Sequence, residues 1–371
     1  MNILNKILAI CGLLMLTVSA QAAAPQAPAV AADVPAVASE APAADSAAPT
    51  AASDGSLPGY TPMDATTAEV VGKPHDKGLD YQQQYTDNGQ TAYEISYWVN
   101  WLIAAISIFV LALLFWVIIR FNRRANPVPS KTTHNTFIEV VWTLVPVLIL
   151  LAIAYPSLNL LAKQFKPAPE NAVTIKATGY QWYWTYTYPD HGGFEIVSNM
   201  LKEEGDVAKG ERFRTDADGP NQLAVDNRMV VPAGVPIRFQ TTAADVIHSF
   251  AVPSLWFKLD SVPGRLNEKA LTINKPGLYY GQCSELCGVR HGYMPITVEA
   301  LPPAEFAAWV KAQGGKMPAE LKAEADAKAA ADKAAADKAA AEAEAAKAAP
   351  AADAAPAATD NAEAADAAAT N

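Results

Sequence analysis

A chain of 371 residues with a formal net charge of −10, three cysteines and five histidines has room for two or three domains but not for a disulfide scaffold or a histidine-rich metal cluster. The acid excess sits at the ends, net −4 over residues 1–162 and −6 over 318–371, while 163–317 is neutral, so bulk charge leaves the central partner undecided. No C-x-x-C-H occurs, which excludes a covalently attached heme, and no nucleic-acid partner is expected.

Residues 1–24 carry Lys6, the apolar run Ile7–Val18 and the small-residue ending Ser19-Ala20-Gln21-Ala22. That is the pattern of a secretory signal peptide with an A-x-A-like cleavage site. Cys11 lies inside it and is expected to be removed, leaving Cys283 and Cys287. Residues 25–90 form a periplasmic lead-in. It is Ala/Pro-rich up to about residue 57, too poor in large apolar side chains to offset chain entropy. Beyond that it gains Tyr60, Tyr81 and Tyr85 but stays polar, and is expected to lie loosely ordered against a partner.

Residues 91–162 read as a transmembrane hairpin. The run 98–119 is interrupted only by Asn100 and Ser107, long enough to cross a bilayer, with Tyr93, Tyr97, Trp98 and Trp101 as an aromatic belt. A second span covers 137–161, with Pro146 inside and the Tyr155-Pro156 step marking its outer end. The loop between them holds Arg120, Arg123, Arg124 and Lys131 before its first acid, Glu139. The positive-inside rule places that loop in the cytoplasm. The expectation is therefore a two-pass protein of the bacterial inner membrane, with N- and C-termini periplasmic after signal cleavage.

From residue 172 the pattern becomes short alternating runs rich in Val, Thr, Tyr and Trp. Strands are expected over 172–188, 223–231, 235–242, 245–252, 269–274, 277–283 and 294–299, which suggests a β-sandwich or barrel spanning 163–317. Residues 197–222 are charge-dense and predict a surface loop, and 303–312 a capping helix. Residues 318–371 are an Ala/Lys/Glu/Asp-rich tail. Its opposite charges four apart, such as Lys328 and Asp332, support a solvated helix as far as about 349, without an apolar stripe to dock it.

The chemistry is concentrated in Gly281-Gln282-Cys283-Ser284-Glu285-Leu286-Cys287-Gly288-Val289-Arg290-His291-Gly292-Tyr293-Met294, joined by His248 upstream. Two thiols, two imidazoles and a thioether point to a metal. A disulfide, or a tetrahedral zinc site of Cys283, Cys287, His291 and His248, remains open on residue types alone. Met294 favours copper, because thioether sulfur suits copper and is rarely recruited by zinc. The second cysteine exceeds what a mononuclear blue-copper site needs and is suited to bridging two ions.

His248 followed by C-x3-C-x3-H-x2-M resembles the binuclear copper A centre of cytochrome c oxidase subunit II. The resemblance extends to Gly179-Tyr180-Gln181-Trp182-Tyr183-Trp184, Val225-Asp226-Asn227-Arg228, Val252-Pro253-Ser254-Leu255 and Pro263-Gly264-Arg265. It implies a two-helix transmembrane hairpin followed by an all-β cupredoxin-like domain, with low-complexity extensions at both ends. It further implies two copper ions bridged by Cys283 and Cys287 and completed by His248, His291, Met294 and the Glu285 backbone carbonyl. The Glu285 side chain would help hold a magnesium ion shared with subunit I, and no heme would be bound by this chain. The implied activity is that of a subunit of a proton-translocating oxidoreductase. Electrons enter from cytochrome c and pass to subunit I, where dioxygen is reduced to water and proton pumping is driven, with other oxidase subunits and the lipid bilayer as further partners.

On the same resemblance Trp182 is the electron entry point, Glu139 in Glu-x-x-Trp-Thr the mouth of a proton path into subunit I, and Asp226, Asp245 and Asp260 the docking acids. Ala244 stands where many relatives carry another acid. Without the resemblance, Glu139 would read as an interfacial acid snorkelling to water and Trp182 as core. A second functional reading is a periplasmic copper-binding or assembly protein of a terminal oxidase. Nitrous oxide reductase needs more histidines, a quinol oxidase subunit lacks the cysteines, and a thioredoxin-like copper chaperone places its cysteines early in the domain.

Overall fold

Alternation in Ile237-Arg238-Phe239-Gln240-Thr241-Thr242-Ala243 puts every second side chain inside, the mark of a strand with one face on a core. The computed structural model describes residues 56–348; the expected signal peptide, the Ala/Pro-rich spacer and the end of the tail lie outside them. Ten of the strands, β2 to β11, build two sheets in the region expected to be all-β.

One sheet orders β4 (Glu195–Ser198), β3 (Tyr183–Thr187), β2 (Val173–Tyr180), β6 (Ile237–Ala243) and β9 (Asn267–Leu271). The other orders β5 (Met229–Pro232), β11 (Pro295–Leu301), β10 (Gly277–Cys283), β7 (His248–Val252) and β8 (Phe257–Ser261). β2 with β6 and β5 with β11 are parallel and the other pairs within these two orders antiparallel, so the chain crosses between layers in the manner of a cupredoxin-like sandwich. Ile175, Trp184, Tyr186, Phe239, Phe250, Met229, Ile296 and Val298 fill the space between the layers. The buried Tyr188 hydroxyl donates to the Val230 carbonyl at 2.9 Å, as a phenol enclosed in a core requires. Helix α3 (Pro303–Ala312) closes one end with Phe306, Trp309 and Val310, at the bounds expected from sequence.

Several expectations are corrected. The aromatic run 172–188 is not one strand: Tyr180 pairs with Tyr183, so Gln181 and Trp182 are the turn of a hairpin. Tyr180 and Tyr183 then stack face to face at 4.7 Å. Val197 and Ser198 belong to β4 rather than to the charged loop.

The lead-in, expected to be loosely ordered against a partner, binds the chain's own β-domain. Strand β1 (Val71–Gly72) pairs in parallel with Leu278 and Tyr279 of β10, the part of that edge β7 leaves open. Tyr60 packs edge-on to Trp309. The Met63 amide donates to Glu299 Oε1 at 3.0 Å, and Glu299 Oε2 accepts from Arg228 Nη1 at 2.8 Å. That ion pair is almost wholly buried, and Met63 supplies both an amide to the acid and a carbonyl to the arginine. A buried pair persists only when its spare donors and acceptors are met in this way. The ordering reflects backbone hydrogen bonds and aromatic contacts that a polar composition does not reveal.

Helix α1 (Asp87–Arg120) and helix α2 (Thr136–Gln164) are the two long apolar helices. No residue of α2 is buried, as expected of a surface meant for lipid or for membrane partners. α1 is 34 residues, about 51 Å at 1.5 Å per residue; its apolar part crosses the hydrocarbon, and the turns before Trp98 rise beyond it. α2 runs through the Tyr155-Pro156 step, as the expected span to 161 requires, and ends at Gln164. The tail forms helix α4 (Pro318–Ala348), with Lys322–Asp326 at 2.7 Å and Lys328–Asp332 at 2.9 Å.

Candidate metal centre

Two loops meet at one end of the sandwich. β7 opens with His248, wholly buried, and β10 closes with Cys283 beside it, register-paired to Phe250. The chain then turns through Cys287 and a short helical turn at His291–Tyr293 to Met294, which leads into β11. Cys283 Sγ lies 3.9 Å from His248 Nδ1 and 3.9 Å from Cys287 Sγ. Cys287 Sγ lies 3.5 Å from both His291 Nδ1 and Met294 Sδ. The Glu285 carbonyl oxygen is 3.4 Å from Cys283 Sγ. All six predicted ligand groups therefore converge, and both cysteines are free thiols rather than a disulfide. Sulfur, imidazole nitrogen and thioether around a central thiol pair fit a soft metal, and copper specifically where the thioether takes part.

The site's electrostatics divide the two thiols. Burial pushes Cys283 up, but contacts with His248 and with the backbone around Glu285 and Ser249 outweigh it, so this thiol falls below its ordinary value. Cys287 is pushed up by burial and by the negative charge of Cys283 beside it. Burial opposes charge on His248, yet Cys283 and Asp245 together raise its pKa above the ordinary imidazole value.

Residues around the ligands fix them. Asp245 Oδ1 lies 2.9 Å from His248 Nε2, and its carboxylate also accepts from the Gln181 and Val246 amides at 2.6 Å. A carboxylate on the far nitrogen orients a ligating imidazole and raises its basicity. Those contacts hold Asp245 below the usual carboxylate range although burial opposes them. Gln181, which sequence reasoning passed over, also donates from Nε2 to the Cys287 carbonyl at 2.7 Å. Trp184, another residue given no separate role, donates from Nε1 to the Met294 carbonyl at 3.3 Å and meets the His248 ring edge-on. Gly179 is required by close approach, since a Cβ there would stand 2.8 Å from the His248 ring. The signal for all three was their place in Gly179-Tyr180-Gln181-Trp182-Tyr183-Trp184.

Trp182 is half-buried at the rim of the site, and its indole lies against Gly288, where a Cβ would meet ring atoms at 3.0 Å. Gly288 also has φ +124°, a conformation other residues resist. Asp260 is exposed on β8 and accepts from Ser249, the residue after His248, at 2.8 Å. Glu285 is exposed. Asp226 is placed differently: its oxygens accept from the Asn199 amide and side chain and from the Asn227 amide. Burial raises its pKa against those bonds, so this carboxylate organises a turn more than it presents charge. Glu139 lies apart from the centre, in the first turn of α2. There it accepts from the Asn135 amide at 3.1 Å while Asn135 accepts from the Ile138 amide, a reciprocal cap of the helix start.

Comparison with known proteins agrees with this architecture. The family model for the cytochrome c oxidase subunit II periplasmic domain matches residues 173–301, and that for its transmembrane domain matches 74–160. A probable cytochrome c oxidase subunit 2 of Rickettsia felis is 47% identical over 233 residues, 61% of this chain and 71% of that one. Cytochrome c oxidase subunit 2 of Cereibacter sphaeroides is 40% identical over 260 residues, 67% of this chain and 84% of that one. The crystal structure of the periplasmic domain of subunit II of cytochrome oxidase of Bradyrhizobium japonicum shows 47% identity, covering 40% of this chain and 96% of its own, with a TM-score of 0.35. With both halves of the architecture matched in order, and relatives covered over more than two thirds of their length, the chain belongs to the cytochrome c oxidase subunit II family.

Proposed function

We propose that this chain is the electron-accepting subunit of a cytochrome c oxidase, taking electrons from a cytochrome c at the centre formed by His248, Cys283, Glu285, Cys287, His291 and Met294 and delivering them to subunit I. The observation that carries the reading is the convergence of four further donor groups on a buried thiol pair. Two copper ions bound there would supply one-electron redox chemistry. The chain's own contribution is rigidity: Asp245 orients His248, Gln181 ties the Cys287 carbonyl to the β2–β3 turn, and Trp184 holds Met294. Ligands held against rearrangement keep the cost of changing charge low.

Trp182, at the rim and in contact with the Cys287–Gly288 loop, is the entry point we assign to the electron. Asp245 and Asp260 form the docking charge for a basic cytochrome c, with Asp226 in a supporting role, and the Glu285 side chain is offered to a magnesium ion at the contact with subunit I. Glu139, at the end of α2 remote from the copper domain, would collect protons for the path into subunit I that serves dioxygen reduction and pumping. Together these assignments imply the topology expected from sequence, with the β-domain and both termini in the periplasm after signal cleavage. A copper-assembly role is disfavoured by the two-helix hairpin matched to the family's transmembrane domain.

The deciding experiment is a metal count with visible and EPR spectra on the full chain. Two coppers per chain sharing one unpaired electron is the expected outcome, and Cys283→Ser should abolish that signal. One copper per chain, or zinc retained over copper, would overturn the binuclear assignment.

A further inference from the structure

Where the membrane helices meet the β-domain, a cleft of about 350 Å³ opens between the start of α1, the end of α2 and β9, within the range of small-molecule sites. Three lysines line it, Lys163, Lys166 and Lys269. None of them forms an ion pair among the described residues. The one acid in the lining, Asp87, already accepts from Asn274 Nδ2 at 2.8 Å. Lys269 is half-buried, with its ammonium 5.4 Å from the Phe257 ring centre, and burial depresses its pKa. With three lysines and one carboxylate the lining carries an excess of positive charge, and a half-buried ammonium in such a lining is costly without a further anion.

The height of the cleft says which anion. Lys163 follows Leu161, the last strongly apolar residue of α2, by two positions, about 3 Å along the axis. Leu158, Leu161 and Phe165 below and beside it are exposed, at 63%, 49% and 75%. A ligand seated among the lysines therefore has its charge at headgroup level and an apolar helix flank directly beneath. Basic pockets between membrane helices bind anionic headgroups in this arrangement.

We propose that this cleft binds the phosphate of an anionic phospholipid from the leaflet adjoining the β-domain, with the acyl chains lying along the outer end of α2. The bound lipid would add to the covalent linker a further tie between the end of α2, through Lys163 and Lys166, and the β-domain, through Lys269.

The test is native mass spectrometry of the detergent-solubilised full chain, titrated with phosphatidylglycerol or phosphatidylcholine of identical acyl chains. Preferential retention of one phosphatidylglycerol is expected, falling about five-fold for each lysine neutralised. Lys163→Gln/Lys166→Gln changes only exposed side chains and should lose that preference while keeping the copper spectrum; Lys269→Gln should act in the same direction. Equal retention of the two lipids, or an unchanged preference in the double variant, would overturn the proposal. Displacement of the lipid by millimolar inorganic phosphate would likewise overturn it, in favour of a free-phosphate site.

Discussion

Asp245 has two claims on it, and they can be separated. Its carboxylate is exposed enough to attract a basic partner, yet it also holds His248 Nε2. Asp245→Asn should therefore shift the copper absorption or EPR as well as raise KM for cytochrome c. The Asp260 carboxylate accepts from the Ser249 hydroxyl and from none of the candidate ligands, so Asp260→Asn should raise KM and flatten its salt dependence with the copper spectrum intact. An altered spectrum in Asp260→Asn, or an unaltered one in Asp245→Asn, would reverse these assignments. For Trp182 the expected signature is different: Trp182→Gln should cut the rate of electron transfer within the complex, read by stopped flow, while KM and copper content stay near their starting values. If the change acts only on KM, the indole is docking surface. The six groups that converge were legible in the sequence because five of the residues crowd into fourteen positions, and metal-binding chemistry restricts residue type. The residues that orient them were not, since Gln181 reaches Asp245 and Cys287 across separations of 64 and 106 residues, and nothing about a glutamine announces such contacts.

At the scale of elements, the start of α2 and the lead-in each carry a prediction. Glu139 caps its helix and is also the proposed proton collector, roles that Gln separates because its carbonyl oxygen can accept the Asn135 amide but cannot ionise. Glu139→Gln should leave helix content and copper spectrum unchanged and slow steady-state turnover; unchanged turnover would leave the cap as its whole role. Where the lead-in meets β11, Glu299→Gln strips the buried Arg228 of its counter-charge and should destabilise the β-domain by about 3–5 kcal/mol, measured by near-UV circular dichroism of the full chain in denaturant. The central strands, the capping helix α3 and both membrane helices were legible from period and length. Three strands were not. β1 is two residues in a polar context, while β4 and β8 are short strands at sheet edges, whose identity comes from partners distant in sequence. The aromatic run misled for a related reason: strand propensity continues through Gln181 and Trp182, and only the pairing of Tyr180 with Tyr183 marks the turn.

Taken as a whole, the chain is a membrane hairpin with a β-sandwich that carries the candidate metal centre, fastened at more than the covalent linker. Thr86 caps α1 by accepting from the Gly89 amide, and its hydroxyl donates to the Leu255 carbonyl at 2.9 Å. The Tyr85 amide donates to the Ser254 carbonyl, and Gln84 Nε2 to that of Pro253. Residues 253–255 directly follow β7, the strand that begins with His248. The helix that enters the bilayer is thus bolted to the same segment that carries His248 of the candidate metal centre. Electron tunnelling weakens exponentially with separation, so a subunit whose redox site swayed over the membrane would deliver its charge at a scattered range of rates. On the proposed electron-accepting role, a stiff mast from bilayer to His248 would set one altitude for that site and narrow the spread of delivery times before any contact with another subunit is made.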